Sequence, residues 1–409
     1  MAWHPMDELL SGAQAQLTDL VAIRRDLHRH PELSGREERT AGIVADRLRG
    51  LGLDVRTRVG GMGVLGLLRG ARPGPCVALR ADMDALPIHE ETGAPYASVV
   101  PGVMHACGHD VHTTCLLGAA RLLADLRDRA AGSVKFLFQP SEEDDRGARA
   151  MLDAGAFDDP TPSAICGLHT FPRLAAGQVG IAAGPLMAGI DTLAITVRGA
   201  AGHAAEPHRG VDAILAAAAA VVGLQHIVSR RLDPQEPAVI TIGTFHAGLA
   251  PNILAPVAEL AGTVRWMRPE SRDRLPALIQ ESVAALCRAH GAEAEVQYER
   301  TLPPVLNDSA VADRVGRAAA RLLGADAVRP AERTMAGDDF GLYLERVPGC
   351  YLWLGTGDPA RGVTYDWHDP RYDIDERALA VGSALLAQAA LELLAPDGAA
   401  GQPPGRGGT

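Results

Sequence analysis

Three nearly unbroken apolar runs, GVLGLLRG (63–70), PCVALRADMD (75–84) and SVKFLFQP (133–140), constrain the fold of this chain more than any other feature. Apolar runs of about four to eight residues without alternation suit strands covered on both faces. The segment between the last two, DVHTTCLLGAARLLADLRDR (110–129), has helical spacing, with Asp110 placed to cap it. SAICGLH (163–169) reads as a further buried strand ending at His169. Upstream, LTDLVAIRRDLHRH reads as a helix stopped by Pro31, and REERTAGIVADRLRGLG as a helix ending at glycine. Helices alternating with buried strands predict an α/β architecture, a mostly parallel sheet flanked by helices.

The rhythm changes near Gly189. IDTLAITVRG alternates like a half-buried strand, and RGVDAILAAAAAVVGLQHIVSRRL reads as a long helix. PAVITIGTFHAG and AELAGTVRWM are strands, followed by the helix ESRDRLPALIQESVAALCRAH and the strand AEAEVQYER. That βαββαβ order is the split pattern of a ferredoxin-like unit. After Thr301 the α/β style resumes, with YLWLGTG as a strand and DERALAVGSALLAQAALELL as a closing helix. The predicted layout is a discontinuous sheet domain over 1–186 and 301–395, an inserted domain over 187–300, and a disordered Gly/Pro-rich tail over 396–409.

A length of 409 residues fits two domains. The formal net charge of −11, with no dense Lys/Arg run, argues against a nucleic-acid or anionic-membrane partner. MAWHPMDELL lacks the basic start and apolar block of a signal peptide, and the longest apolar run, Ala213 to Leu224, is short for a membrane span. Six cysteines without framework spacing suggest reduced thiols and a cytoplasmic location.

In open α/β sheets, functional groups gather beyond the carboxyl ends of strands. Asp82 and Asp84 follow one predicted strand, Glu142 and Glu143 a second, and His169 ends a third. The segment MHACGHDVH (104–112) adds Cys107 and His109. A single strand-end acid is more often solvated or a cap, and a lone histidine such as His28, His89 or His246 is structural or exposed by default. His112 and Cys115, on the following helix, are assigned to packing or capping. The convergence of Cys107, His109, Glu142, Glu143 and His169 is what calls for a metal: buried charge needs compensation, and a cation supplies it. Thiolate, imidazole and carboxylate together suit Zn²⁺, Mn²⁺, Co²⁺ or Ni²⁺ better than Ca²⁺ or Mg²⁺. Glu142 and Glu143, as neighbours on extended chain, point in different directions, so one can hold a metal while the other faces water. A carboxylate beside metal-activated water is the apparatus of amide hydrolysis.

The segments RRDLHRHPELSGRE, ALRADMDALPIHEETG, GVMHACGHDVHTTCLLGAARLL, VKFLFQPSEE, GLHTFPRLAAGQVG, GAAGHAAEPHRGVD, APNILAP, GTVRWMR, PGCYLWLGTG and HDPRYDIDE occur in that order. Together they closely resemble the dinuclear-metal amidohydrolases typified by hippurate hydrolase, N-acyl-amino-acid amidohydrolases and plant auxin-conjugate hydrolases, within the wider aminoacylase and carboxypeptidase G group. The resemblance spans Val21 to Leu394. It implies that Cys107, His109, Glu143, His169 and His368 hold two divalent metal ions per subunit, with the Cys107 thiolate shared, and that Glu142 is the general base. His368, in DWHDP, is recommended by resemblance alone. Asp82 and Asp84 stand where related enzymes carry a metal-binding histidine and a supporting aspartate; Asp84 is assigned the supporting role of orienting a ligand.

The inserted domain resembles the family's lid and dimerisation domain, implying a homodimer or higher homo-oligomer. His203, in AGHAAEPH, matches a histidine that reaches the opposite subunit's site and stabilises an oxyanion. Asn252 matches a substrate-holding position, and Arg265 is a candidate partner for a substrate carboxylate. Asp338 replaces the usual glutamate of its motif, Asp369 a usual serine, and RGAAGH lacks the usual Lys-Gly. None of these removes a proposed ligand, so they bear on substrate range. The implied reaction is hydrolysis of a small N-acyl amino acid to a carboxylic acid and an amino acid. A dipeptidase or carbamoyl-amide hydrolase uses the same site, and a non-catalytic binding protein is the reading from another class.

Overall fold

The computed structural model describes residues 5–396, so nearly all of the tail expected to be disordered lies outside the described residues. The chain forms two compact units. The first runs to Gly184 and resumes over Leu306–Glu332 and from Leu342; the second comprises Pro185–Val305 and Arg333–Gly341. The second unit thus takes in Arg333–Gly341, which lies within the 301–395 span expected for the sheet domain. Its attachment is non-local: Ala188 N–H donates to Ala336 O at 2.9 Å, and Gly337 lies flush against Ile190.

In the first unit, eight strands form one sheet in the order Asp54–Thr57, Val64–Arg69, Ala131–Gln139, Arg72–Asp82, Ile165–Ala175, Gly349–Gly357, Val179–Ile181, Val328–Pro330. The four central strands run parallel. Antiparallel pairs occur at the Asp54–Val64 edge and beside Gly349–Gly357, so the sheet is mixed around a parallel centre. Val77, Leu79, Phe136, Phe138 and Leu352 on those central strands are fully buried. Burial on both faces is why their sequences do not alternate, and each such side chain contributes about 1.5–3 kcal/mol.

Helices His109–Asp125 and Ala378–Leu394 are almost wholly buried and pack against each other. Gly118 and Gly382 permit the approach: a Cβ on Gly118 would stand 2.2 Å from Ser383 Oγ, and one on Gly382 would stand 2.5 Å from Cys115 Sγ. No disulfide joins any of the six cysteines.

Asp110 does not cap its helix. Gly108, at φ +87°, holds the N-cap position, and Asp110 lies in the first turn. Its carboxylate accepts a hydrogen bond from Arg24 Nε at 2.8 Å and faces His28 Nδ1 at 2.8 Å. His28 Nε2 faces Glu90 at 3.2 Å, and Arg24 Nη2 donates to Asp373 at 2.9 Å. Arg24, His28 and Asp110 are all buried, and charges out of water persist only when paired in this way.

The second unit is a four-stranded antiparallel sheet in the order Ala238–Ala247, Val257–Trp266, Gly189–Arg198, Glu293–Leu302. Helices Ala213–His226 and Ser271–Ala289 supply the βαββαβ connections of the ferredoxin-like pattern. Leu193, Ile195 and Val197 alternate inward along the central strand against Ala216, Ala217, Ala220 and Leu224. Asp212 caps the first helix, accepting from Ile214 and Leu215 N–H. That helix continues through a π turn to Arg231, close to the end of the long helix read from the sequence, and its 19 residues are long and apolar enough to cross a membrane. Its polarity is low because one side packs on the sheet while Leu215 (55% exposed) and Val222 (65%) face outward.

Candidate metal centre

The parallel strands deliver their carboxyl ends to one region of the first unit. Asp82 ends Arg72–Asp82, with Asp84 two residues on; Gln139 ends Ala131–Gln139 just before Glu142 and Glu143. His169 does not end its strand. It sits inside Ile165–Ala175, opposite Trp353. The Glu142 turn is tight: Ser141 and Asp145 have φ of +56° and +62°, and Gly147 presses on Pro140 O, where a Cβ would stand 1.7 Å away.

Cys107, His109, Glu142, Glu143, His169 and His368 come together. Cys107 Sγ lies 3.5 Å from His169 Nε2. His109 Nε2 is 3.8 Å from Glu143 Oε1 and 3.9 Å from Glu142 Oε2. His368 Nε2 is 3.8 Å from Glu143 Oε2. Donor atoms of Cys107, His109 and His169 form one compact group, and those of Cys107, Glu143 and His368 a second that shares the thiol. Donors about 2.0–2.3 Å from a common tetrahedral ion stand about 3.3–3.8 Å apart, a range that includes the Cys107–His169 separation of 3.5 Å and the His368–Glu143 separation of 3.8 Å.

Hydrogen bonds settle which imidazole nitrogens are available. His109 Nδ1 faces Asp84 Oδ1 at 3.2 Å, leaving Nε2 toward the glutamates. His169 Nδ1 faces the Thr170 carbonyl at 2.9 Å; that oxygen only accepts, so the proton is on Nδ1 and Nε2 carries a lone pair. His112 is different. Its Nε2 accepts Thr170 N–H at 2.9 Å, which puts its proton on Nδ1, 2.6 Å from Asp82 Oδ1. With both nitrogens engaged, His112 braces the His169 strand. Sequence reading assigned it to packing or capping; its i,i+3 spacing from His109 was the signal that both share a helix face. Asp82 is likewise committed, its other oxygen accepting from Arg80 Nη1 at 2.6 Å.

Electrostatics favour a cation here. Burial pushes His109 down, but Asp82, Asp84 and Glu143 outweigh it and raise the imidazole to about 10. Burial, with Asp84 adding to it, raises the Glu143 carboxyl to about 7 against the pull of His109. His109 Nε2 and Glu143 Oε1 are buried without a hydrogen-bond partner. Two orphaned polar atoms facing each other across 3.8 Å, among carboxylates, fit a divalent ion, which competes with the proton for the same lone pairs.

His368 reaches this group from far along the chain. Its backbone N–H donates to Ala106 O at 2.8 Å, and its φ of +64° is rare for a residue with a Cβ. Gly108, between Cys107 and His109, must be glycine: it has φ +87°, and a Cβ would stand 2.6 Å from Thr170 Oγ1.

His203, Asn252 and Arg265 belong to the second unit. His203 and Asn252 are exposed neighbours, with Ala204 N–H donating to Asn252 O at 3.0 Å. Arg265 is not beside them. It pairs with Ile190 at the start of Gly189–Arg198, whereas His203 follows that strand's far end. Its Nη1 donates to Met335 O at 2.9 Å.

The profile of Peptidase family M20/M25/M40 matches residues 78–392. The chain is 40% identical over 383 residues to N-acetylcysteine deacetylase of Bacillus subtilis, covering 92% of this chain and 97% of that protein. It is 44% identical over 291 residues to N-acyl-L-amino acid amidohydrolase of Geobacillus stearothermophilus, covering 71% and 78% respectively. Among solved structures, the Bacillus subtilis YXEP protein, a dinuclear metal binding peptidase, aligns with a TM-score of 0.83 at 38% identity, covering 93% of this chain and 99% of that one. The chain therefore belongs to peptidase family M20/M25/M40 and is a hydrolase of that family.

Proposed function

We propose that the protein hydrolyses the amide bond of N-acyl amino acids, with Cys107, His109, Glu143, His169 and His368 holding two divalent ions drawn from Zn²⁺, Mn²⁺, Co²⁺ and Ni²⁺. The observation that carries this reading is the pair of orphaned atoms, His109 Nε2 and Glu143 Oε1, with the Glu142 carboxylate 3.9 Å from the same imidazole nitrogen. Similarity to N-acetylcysteine deacetylase and N-acyl-L-amino acid amidohydrolase supports the substrate class. When bound, such ions polarise a carbonyl and lower the pKa of water.

The chain's own groups do the rest. Glu142 takes the proton of the attacking water and returns it to the amide nitrogen as the C–N bond breaks, giving a carboxylic acid and an amine. Asp84 orients His109 through Nδ1. His203, working on the opposite subunit of a homodimer, stabilises the developing oxyanion; Asn252 and the Arg265 guanidinium hold the substrate. The dimer is supported by an apolar surface on the second unit: Leu215 and Val222 line a groove of about 690 Å³ with Leu286, and Phe245 is 40% exposed on the edge strand Ala238–Ala247. An exposed edge strand beside exposed apolar residues is a surface that a second copy covers.

The test is to strip the protein of metal, restore each ion in turn, and assay benzoyl-, acetyl- and indole-acetyl-amino acids beside dipeptides and N-carbamoyl amino acids. Metal-dependent release of a free amino acid from the acyl conjugates is expected. Undiminished hydrolysis by metal-free protein refutes the mechanism, and cleavage of dipeptides or carbamoyl compounds alone moves the substrate to that class.

A further inference from the structure

The turn Leu33–Glu37 contains a fully buried carboxylate that the mechanism does not use. Glu37 occupies the N-cap position of helix Glu38–Gly50, yet its side chain does not cap that helix. Glu32 does so instead, accepting Arg39 N–H at 2.9 Å and Thr40 N–H at 2.8 Å. Glu37 is thereby released for another task. Its Oε1 accepts Gly35 N–H at 2.8 Å and Ser141 N–H at 2.9 Å.

Ser141 is the residue immediately before Glu142, and it stands at φ +56°, where a residue with a Cβ needs external support. The same turn grips the other half of the cluster. Ser34 Oγ donates to Asp84 Oδ2 at 2.7 Å, and Leu33 bridges Ala85. Gly35 lies against Ser141, where an added Cβ would come within 3.6 Å of its Oγ. One five-residue turn therefore contacts both the Asp84 segment and the Ser141–Glu143 segment, elements some 50 and 104 residues away in sequence. Burying a carboxylate costs several kcal/mol unless its interactions repay it. Here burial raises the Glu37 carboxyl to about 7 despite those N–H donors.

We propose that Glu37 is a positioning residue for the hydrolytic centre: by holding Ser141 N–H it sets where the Glu142 and Glu143 carboxylates stand, while Ser34 of the same turn holds Asp84. This rests on the amidohydrolase reading for its kinetic consequence, but the structural claim stands apart from it.

The experiment compares Glu37→Ala, Glu37→Gln and Glu37→Asp in metal-loaded, full-length protein by kcat, KM and native-state hydrogen exchange. Glu37→Ala loses the acceptor. It is expected to lower kcat by about 10–100-fold with KM changed less than about threefold, since sub-ångström misplacement of a catalytic group acts on turnover. Exchange of the Ser141 amide is expected to rise at least about tenfold with no change in helix Ala378–Leu394. Glu37→Gln keeps an oxygen in place and is expected to restore kcat to within about threefold of the parent. Glu37→Asp keeps the charge but withdraws the carboxylate by about one C–C bond. It is expected to behave like the alanine variant, and it decides the matter should that variant fail to fold. Unchanged Ser141 exchange and unchanged kcat in Glu37→Asp would overturn the proposal, as would a loss of kcat accompanied by equal loosening throughout the first unit. If the parent protein cleaves no N-acyl amino acid, the exchange arm alone still decides whether Glu37 holds the loop.

Discussion

Asp84 joins the two halves of the candidate metal centre: Oδ1 stands 3.2 Å from His109 Nδ1, and Oδ2 accepts the Glu143 backbone N–H at 3.0 Å. One carboxylate thus aims an imidazole and anchors the loop of the opposing glutamate. Asp84→Asn keeps the shape but only one acceptor oxygen, so it cannot serve both His109 Nδ1 and the Glu143 N–H. It is expected to lower metal affinity by about 10–100-fold, as loss of a carboxylate behind a ligating histidine does. Competition titration against a chelating dye measures this, and unchanged affinity removes Asp84 from that role.

Glu142 approaches His109 Nε2 at 3.9 Å and is assigned to the proton rather than to an ion. Glu142→Ala is accordingly expected to retain two equivalents of metal by elemental analysis while turnover falls by about 10²–10⁴-fold. Near-normal turnover, or loss of metal in step with activity, contradicts the base assignment.

His28 offers a pH-dependent stability signature away from the ligands. Burial and Arg24 push its pKa down, yet Asp110 and Glu90, one at each ring nitrogen, hold it above 6.5. A group whose folded pKa is raised lends stability that is complete below its unfolded value and fades as pH climbs through the folded value. The deficit of His28→Gln against the parent, on the order of 3 kcal/mol while the imidazole is charged, is therefore expected to shrink in urea unfolding as pH rises from below 6.5. A deficit independent of pH shows that the charge is not what matters.

The proposed dimer supports two linked outcomes. Val222→Glu, at the most exposed apolar position of its helix, is expected to shift the protein to monomers in sedimentation velocity. Mixing inactive Glu142→Ala and inactive His203→Ala subunits is expected to restore part of the activity, at most about half per hybrid, because each hybrid dimer rebuilds one complete site. Absence of recovery despite proven subunit exchange rules out a trans role for His203.

Much of this was legible in the residues themselves. The unbroken runs around Leu79 and Phe136 announced strands buried on both faces, and the alternation around Leu193 announced a sheet with helices on one face. Cys107, His109, Glu142 and Glu143 advertised themselves because ligand-type side chains clustered locally after such runs. Periodicity and composition report a residue's own burial and its near neighbours, and those signals do not depend on the rest of the chain.

Partnerships between distant segments left no such mark. Asp110 read as a cap, but the fold supplied Arg24 and His28 from another helix and gave the cap position to Gly108. His112 read as packing until Thr170 and Asp82 occupied its two nitrogens. His368 came only from resemblance, since what places it is a backbone hydrogen bond to Ala106, more than 250 residues earlier. The sequence by itself determined the central buried strands, the helices beside them and the βαββαβ order of the inserted unit, and it marked where ligand-type side chains cluster. Only the tertiary structure decided which nitrogen of each imidazole stays open and which carboxylates are already taken, because a hydrogen bond across the fold depends on where the sheet order brings two segments together.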